Sequence, residues 1–339
     1  MEECMVKAVF MSQGCNREMI NRVYARESIN TINKYAVIYP ELVEKENLKI
    51  YEEYLKNVEV VFATWGMSEL SEEEIGRYFP KLKAVFYAAG SVQYFAHPFL
   101  NKGITVVSAW AANAVPVAEY TMAQILLANK GFFQNNIITK KDYFSARMYS
   151  DTFSGNYSVN VGILGAGMVG TKIIELLKPF NIQVLVYDPF LSDERAEKLG
   201  VRKCTLTEIF LQCQTISNHI ANLPATVGIL NKEYFSKMLP NATFINTGRG
   251  AQVVEKDLIE ALKTMPTRTA ILDVTEPEPP LPNSEFLEME NVIITSHIAG
   301  STSKEVERMG CYMAEEFVRF IEGKELKYSV TLKMLETMA

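Results

Sequence analysis

Over the first hundred residues, short apolar runs at 6–11, 36–39, 58–63, 82–87 and 104–107 alternate with charged segments of helical length such as 42–56 and 69–79. Strands separated by helix-length polar stretches predict a parallel sheet with helices on its faces. From 111 to about 132 the period changes. Val117, Tyr120, Ile125 and Leu126 recur at helical spacing, and Asn113 is suited to cap the start. A long helix without a partner strand reads as a bridge between domains. Residues 145–158, rich in Ser, Asn, Asp and Tyr with Gly155, read as a loop. Six apolar runs then follow, at 159–164, 183–187, 215–217, 242–245, 270–272 and 292–295. They suit buried parallel strands, and six is the count of a full doubly wound dinucleotide-binding sheet. In the closing segment 303–322, Val306, Met309, Met313, Phe317 and Phe320 fall on one helical face, with Gly323 placed to stop it. This helix is expected to pack back on the first domain.

Composition narrows the class of molecule. A length of 339 residues suits two domains, and 48% hydrophobic with 22% charged residues is a globular balance. A net charge of −6 works against phosphate backbones and anionic membranes, so no nucleic acid partner is expected. No apolar stretch approaches the ~20 residues that span a bilayer. Glu2 and Glu3 stand where a signal peptide would be basic, so a cytoplasmic location without membrane association is expected. Cys4, Cys15, Cys204, Cys213 and Cys311 are widely spaced with no C-x-x-C pair. They predict reduced thiols, with no disulfide framework and no metal site.

The run Gly165-Ala166-Gly167-Met168-Val169-Gly170 places G-x-G-x-x-G after a strand and at the start of a helix. Gly165 permits a tight turn, Gly167 lets a pyrophosphate approach the backbone, and Gly170 lets helix and strand pack closely. The anion would meet free N–H groups at the positive end of a helix dipole. Alone, the motif is weak. Asp188, after the next strand, strengthens it as an acceptor for ribose hydroxyls. It would repel a 2′-phosphate, and neither Pro189 nor Phe190 supplies a cation beside it, which favours NAD over NADP. The bland reading of Asp188 is a turn former.

Ligands of an open parallel sheet collect at the carboxyl ends of its strands. Beyond the successive runs stand Gly165, Asp188, His219, Arg249, Asp273 with Glu278, and His297. Of the 3 histidines, His97 precedes Pro98 in what reads as a surface loop. His219 could line a cofactor cleft or simply pack. His297, in Thr295-Ser296-His297-Ile298-Ala299-Gly300, sits among small residues that leave its ring accessible, and it is the candidate acid/base. Arg249, in Asn246-Thr247-Gly248-Arg249-Gly250, offers a permanently charged fork between glycines that let the backbone bend toward a ligand. Glu278, framed by Pro277 and Pro279, could orient the imidazole, with Glu276 as its competitor.

Taken together these motifs resemble the D-isomer-specific 2-hydroxyacid dehydrogenases. The likeness runs from about 82 almost to the C-terminus and is strongest over 113–120, 161–170, 244–262, 271–279 and 292–301. It implies an α/β fold of two doubly wound Rossmann-like domains, an NAD-binding domain (110–301) inserted into a flavodoxin-like substrate domain (1–109 and 302–339). It implies Arg249 as the substrate-holding residue, Glu278 rather than Glu276 as the partner of His297, and His297 as general acid/base. The residues expected along the cofactor are Gly165, Gly167, Met168, Val169, Gly170, Asp188, Thr247, Arg249, Asp273, His297, Ala299 and Gly300, with His219 a candidate that could equally pack, and the likeness puts Asp273 on the carboxamide. The substrate carboxylate would be gripped by backbone N–H groups of Ala89, Gly90, Ser91 and Val92, an anion nest. A keto acid would thus bind between the domains, which would close over it. A homodimer through the NAD-binding domains is implied as well. Ser91, Gln93 and Ser108 stand where relatives often carry Gly, Asp and Asn. A Glu partner, rather than Gln, speaks against the formate dehydrogenase branch. The alternative function is an NAD-sensing, corepressor-like interaction protein, since fold does not fix function.

Overall fold

The computed structural model describes residues 5–336. Two compact units divide the chain: Met1–Asn113 with Ser301–Ala339, and Ala114–Gly300. Cys4, Glu2 and Glu3 lie outside the described residues.

The first unit is built on β1 (Val6–Met11), β2 (Ala36–Val43), β3 (Val60–Ala63), β4 (Ala84–Tyr87) and β5 (Thr105–Ser108). They run parallel in the order β5-β4-β3-β1-β2, and the closing strand Ser329–Val330 pairs antiparallel to β5. This is the flavodoxin-like strand order. Phe10, Phe62 and Phe86 alternate to one face, where Phe317 of the helix Val306–Ile321 meets them edge-on. That helix begins after a capping box between Thr302 and Glu305 and stops before Gly323, whose φ of 66° suits glycine. Its Gly310 lies against the backbone of Val23, since a Cβ there would come within 2.0 Å of the Val23 carbonyl oxygen. The helix thus packs on the first sheet, as its apolar face predicts.

The second unit carries β6 (Tyr157–Leu164), β7 (Asn181–Tyr187), β8 (Arg202–Lys203), β9 (Thr215–Asn218), β10 (Thr243–Asn246), β11 (Thr269–Leu272) and β12 (Val292–Ile294). All are parallel, in the order β12-β11-β10-β9-β6-β7-β8. Strand order reverses between β6 and β9, which opens a crevice at their carboxyl ends. Phe210, Phe235 and Phe244 fill one face of the sheet, and Val161, Ile163, Ile245 and Ile271 the other.

Several local expectations are corrected. The sheet has a seventh strand, β8, whose two exposed residues carry no apolar signal. Segment 42–56 is not one helix: β2 runs on to Val43, and only Glu52–Leu55 is α-helical. Part of 145–158 is helical, because Asp142 caps a helix Tyr143–Tyr149 by accepting from Phe144 N and Ser145 N at 3.1 Å each. His97 is exposed as expected, but in a short helix, Ala96–Asn101. Asn113 is not an N-cap. It lies inside the helix Trp110–Asn129, and its Oδ1 accepts from Ser301 N at 2.9 Å, holding together the two places where the chain passes between units.

Candidate active site

The glycine loop has the shape its sequence requires. Gly165 turns with φ 93°, and a Cβ on it would stand 2.6 Å from the His219 carbonyl oxygen across the β6–β9 crevice. A Cβ on Gly170 would lie 2.0 Å from the Gly165 carbonyl oxygen, so the helix Met168–Leu177 packs on the turn only with glycine there. Gly167 is different: nothing lies within 4 Å of its Cβ position. The space opens directly over the helix N-terminus, and Met168 is exposed beside it. Gly167, Met168 and Val169 direct their N–H groups to no partner among the described residues. A pyrophosphate fits this cradle.

Asp188 holds the loop from the next strand. Its Oδ2 accepts from Ala166 N at 2.7 Å and its Oδ1 from Phe190 N at 2.8 Å, which leaves each oxygen a second lone pair for ribose hydroxyls. A cation does stand nearby. Arg195 donates to the Ala166 carbonyl and to Thr171 Oγ1, both at 2.8 Å. Its place on the next helix, outside the motif, hid it from the sequence.

His219 is a neutral imidazole. Its Nε2 lies 2.8 Å from Ser217 Oγ and its Nδ1 3.4 Å from Thr247 Oγ1, which is itself 3.2 Å from Thr121 Oγ1. Burial pushes its pKa down to about 3. Such a ring donates one hydrogen bond and accepts another, but carries no charge near neutral pH.

His297 and Glu278 meet at 2.6 Å, Nδ1 to Oε1, while Glu276 turns its backbone N to Glu255 Oε1 at 3.0 Å. Both dyad members are about half exposed, a setting where an ion pair contributes ~0–1 kcal/mol. The dyad therefore orients the ring but does not hold its loop. That task falls to Asp273, which is 2% exposed. Its carboxylate accepts from Thr295 Oγ1 at 2.6 Å, Ile298 N at 2.8 Å and Ala299 N at 2.9 Å, and its carbonyl accepts from His297 N at 3.1 Å. Hydrogen bonds to a charged group are each worth roughly 1.5–3 kcal/mol, so this clamp outweighs the dyad. It also fixes His297 at φ 57°, beside Gly300. A cavity of about 680 Å³ adjoins the dyad, lined by Pro280, Leu287 and Ile294 among others.

Arg249 is half-buried, with Nη1 on the Gly248 carbonyl at 2.7 Å. Burial lowers its pKa while the nearby Glu278 carboxylate raises it, and a guanidinium so placed keeps its charge. Its flanking glycines serve packing more than bending. A Cβ on Gly250 would stand 2.1 Å from the carbonyl carbon and oxygen of Thr275, so glycine lets the Arg249 loop lie against the segment leading to Glu278.

In the first unit, the N–H groups of Ala89, Gly90, Ser91 and Val92 donate to no other described group. The loop is braced from behind by Ser108, whose hydroxyl lies 2.9 Å from the Ala89 carbonyl and 2.6 Å from that of Gly90. Ser108 is a shaping residue that its position in the sequence alone does not reveal. Gln93 donates to the Leu335 carbonyl at 2.6 Å. Among the described residues, no helix is long and apolar enough to cross a membrane.

Known proteins resemble the chain in sequence and in fold. The family described as "D-isomer specific 2-hydroxyacid dehydrogenase, NAD binding domain" matches residues 122–299. D-3-phosphoglycerate dehydrogenase of Archaeoglobus fulgidus is 32% identical over 70% of this chain, and that of Bacillus subtilis 33% over 68%. The chain spans less than half the length of these relatives, 44% and 43%. Among solved structures, apo D-mandelate dehydrogenase of Rhodotorula graminis superposes with a TM-score of 0.79 at 18% identity, covering 96% of this chain and 97% of its own. D-2-hydroxyisocaproate dehydrogenase gives 0.74 at 19%, covering 96% and 100%. With its glycine loop, Asp188 and the His297 loop all inside the matched span, the chain belongs to the D-isomer-specific 2-hydroxyacid dehydrogenase family, through that family's NAD-binding domain.

Proposed function

We propose that this protein interconverts a small D-2-hydroxy acid and its 2-keto acid with NAD as redox partner. The observation that carries the reading is the Nδ1–Oε1 contact between His297 and Glu278 at 2.6 Å, with the field of Glu278 reaching Arg249. NAD, held by the Gly165–Gly170 loop and Asp188, would supply the hydride acceptor or donor for the carbinol carbon. Everything else belongs to this chain's own groups. Glu278 accepts from Nδ1 and thereby leaves Nε2 to take the hydroxyl proton in oxidation and return it in reduction. Its negative charge stabilises the imidazolium formed when that proton arrives. Arg249 supplies fixed positive charge for the substrate's carboxylate and carbonyl oxygen. In the first unit, the N–H groups of Ala89, Gly90, Ser91 and Val92 form an anion nest of their own, suited to a carboxylate. On this reading the protein works in the cytoplasm.

A steady-state screen of glyoxylate, hydroxypyruvate, phosphohydroxypyruvate, pyruvate and bulkier 2-keto acids with NADH tests the proposal. His297→Asn is the informative variant, because asparagine tolerates a positive φ. It is expected to lose a factor of about 10²–10⁴ in kcat while NADH binding by calorimetry stays within about twofold. Wild-type rates in that variant would remove the acid/base assignment. NADH binding with no turnover on any keto acid would favour an NAD-sensing protein instead.

A further inference from the structure

Three side-chain amides lie buried beneath the loop that carries Arg249: Asn218 closing β9, Asn246 closing β10, and Gln252 just beyond the loop. Asn218 and Gln252 are 0% exposed and Asn246 1%. Asn218 Nδ2 donates to Asn246 Oδ1 at 3.0 Å and to Gln252 Oε1 at 2.6 Å, which uses both N–H bonds of that amide inside the cluster. The other bonds of the cluster go to backbone. Gly248 N donates to Asn246 Oδ1 at 3.1 Å, Arg249 N to Gln252 Oε1 at 3.3 Å, and Asn246 Nδ2 to the Arg249 carbonyl at 3.0 Å. Asn218 Oδ1 accepts from Ile220 N at 3.2 Å, and Gln252 Nε2 donates to the Ile220 carbonyl. The peptides on both sides of Arg249 are thereby tied to the segment that follows His219.

Contact is close as well as polar. A Cβ on Gly248 would meet Gln252 Oε1 at 3.0 Å and Asn218 Nδ2 at 3.1 Å, so the loop rests directly on the amides. Residues 247–249 belong to no helix or strand, and periodic structure does not fix them. Burying amides is costly unless they are fully paired, and a paired network gives a backbone one geometry where an apolar filling would allow several.

We infer that Asn218, Asn246 and Gln252 are positioning residues whose shared amide network sets the orientation of the Arg249 guanidinium. Asn218 and Gln252 act through the loop backbone. The inference rests on the substrate-holding role given above to Arg249, and its test separates the two.

The test compares Gln252→Leu, the apolar pair Asn218→Leu with Gln252→Leu, and each of these combined with Arg249→Lys. The pair removes both partners of the Asn218–Gln252 bond together, and it also takes the amide partners from Ile220 N, the Ile220 carbonyl and Arg249 N. It is expected to lower Tm by about 5–15 °C while the folded protein keeps its NADH affinity within about twofold. With the best keto acid, kcat/KM should fall at least about 30-fold when the pair is introduced into the wild type. Introduced into the Arg249→Lys variant, the same pair should cost less than about threefold, because coupled positions are not additive. Equal losses in the two backgrounds overturn the inference, as does unchanged kcat/KM. Should the wild type turn over no keto acid, the functional reading fails alone, and the crystal structure of the paired variant decides. Displacement of the Arg249 guanidinium supports the network role; retention of its wild-type position overturns it. If the pair does not fold, the volume-conserving Gln252→Met replaces it in every measurement.

Discussion

His219 and Asp188 show how one residue's surroundings decide its chemistry. In the folded protein His219 has a pKa of about 3 against an ordinary 6.5, so between those values the unfolded chain binds the extra proton. Its contribution is fully present above pH 6.5 and is lost as pH falls toward 3. Denaturant midpoints of the wild type and His219→Asn are therefore expected to converge as pH is lowered from 7.5 to 4.5, and parallel curves would contradict the burial argument. For Asp188→Ala, removal of the ribose acceptor is expected to weaken NADH binding at least about tenfold and narrow the preference over NADPH, with Arg195 left as the nearby cation. Candidate residues were legible in the sequence because strand ends carry them: Gly165, Asp188, His219, Arg249 and His297 all follow apolar runs. What the sequence withheld was partnership. Nothing in the order of residues says that Asp273 clamps the His297 loop or that Ser108 braces the Ala89–Gly90 turn, since these contacts join distant segments.

At the scale of elements, two glycines that look alike in sequence do different work. Gly167→Ala meets open space, so it is expected to leave Tm within about 3 °C while NADH affinity drops at least about tenfold. Gly170→Ala drives a Cβ into the Gly165 carbonyl and is expected to lower Tm by about 5 °C or more, cofactor or not. Calorimetry with and without NADH distinguishes the two, and equal melting shifts would refute the assignment. Apolar periodicity revealed strands and long helices, but their ends depended on caps. Asp142 starts a helix that runs into the segment read as a loop, and Asn113, read as a cap, sits within a helix. Polar residues compete for local and distant partners, and sequence alone does not say which wins.

For the whole molecule, alternating runs were enough to give two α/β sheets, because buried parallel strands must be apolar on both faces. They could not reveal β8 or the closing strand Ser329–Val330, two-residue edges with little to bury. The second unit also exposes Tyr143, Phe144 and Met148 at 64%, 77% and 77% on one short helix. Finally, the bond from Ser301 N to Asn113 Oδ1 brings the exit and return of the chain to one point. An excursion whose ends touch behaves as a cassette: 114–300 should survive excision as an autonomous NADH binder, and the remainder should tolerate a short splice in its place.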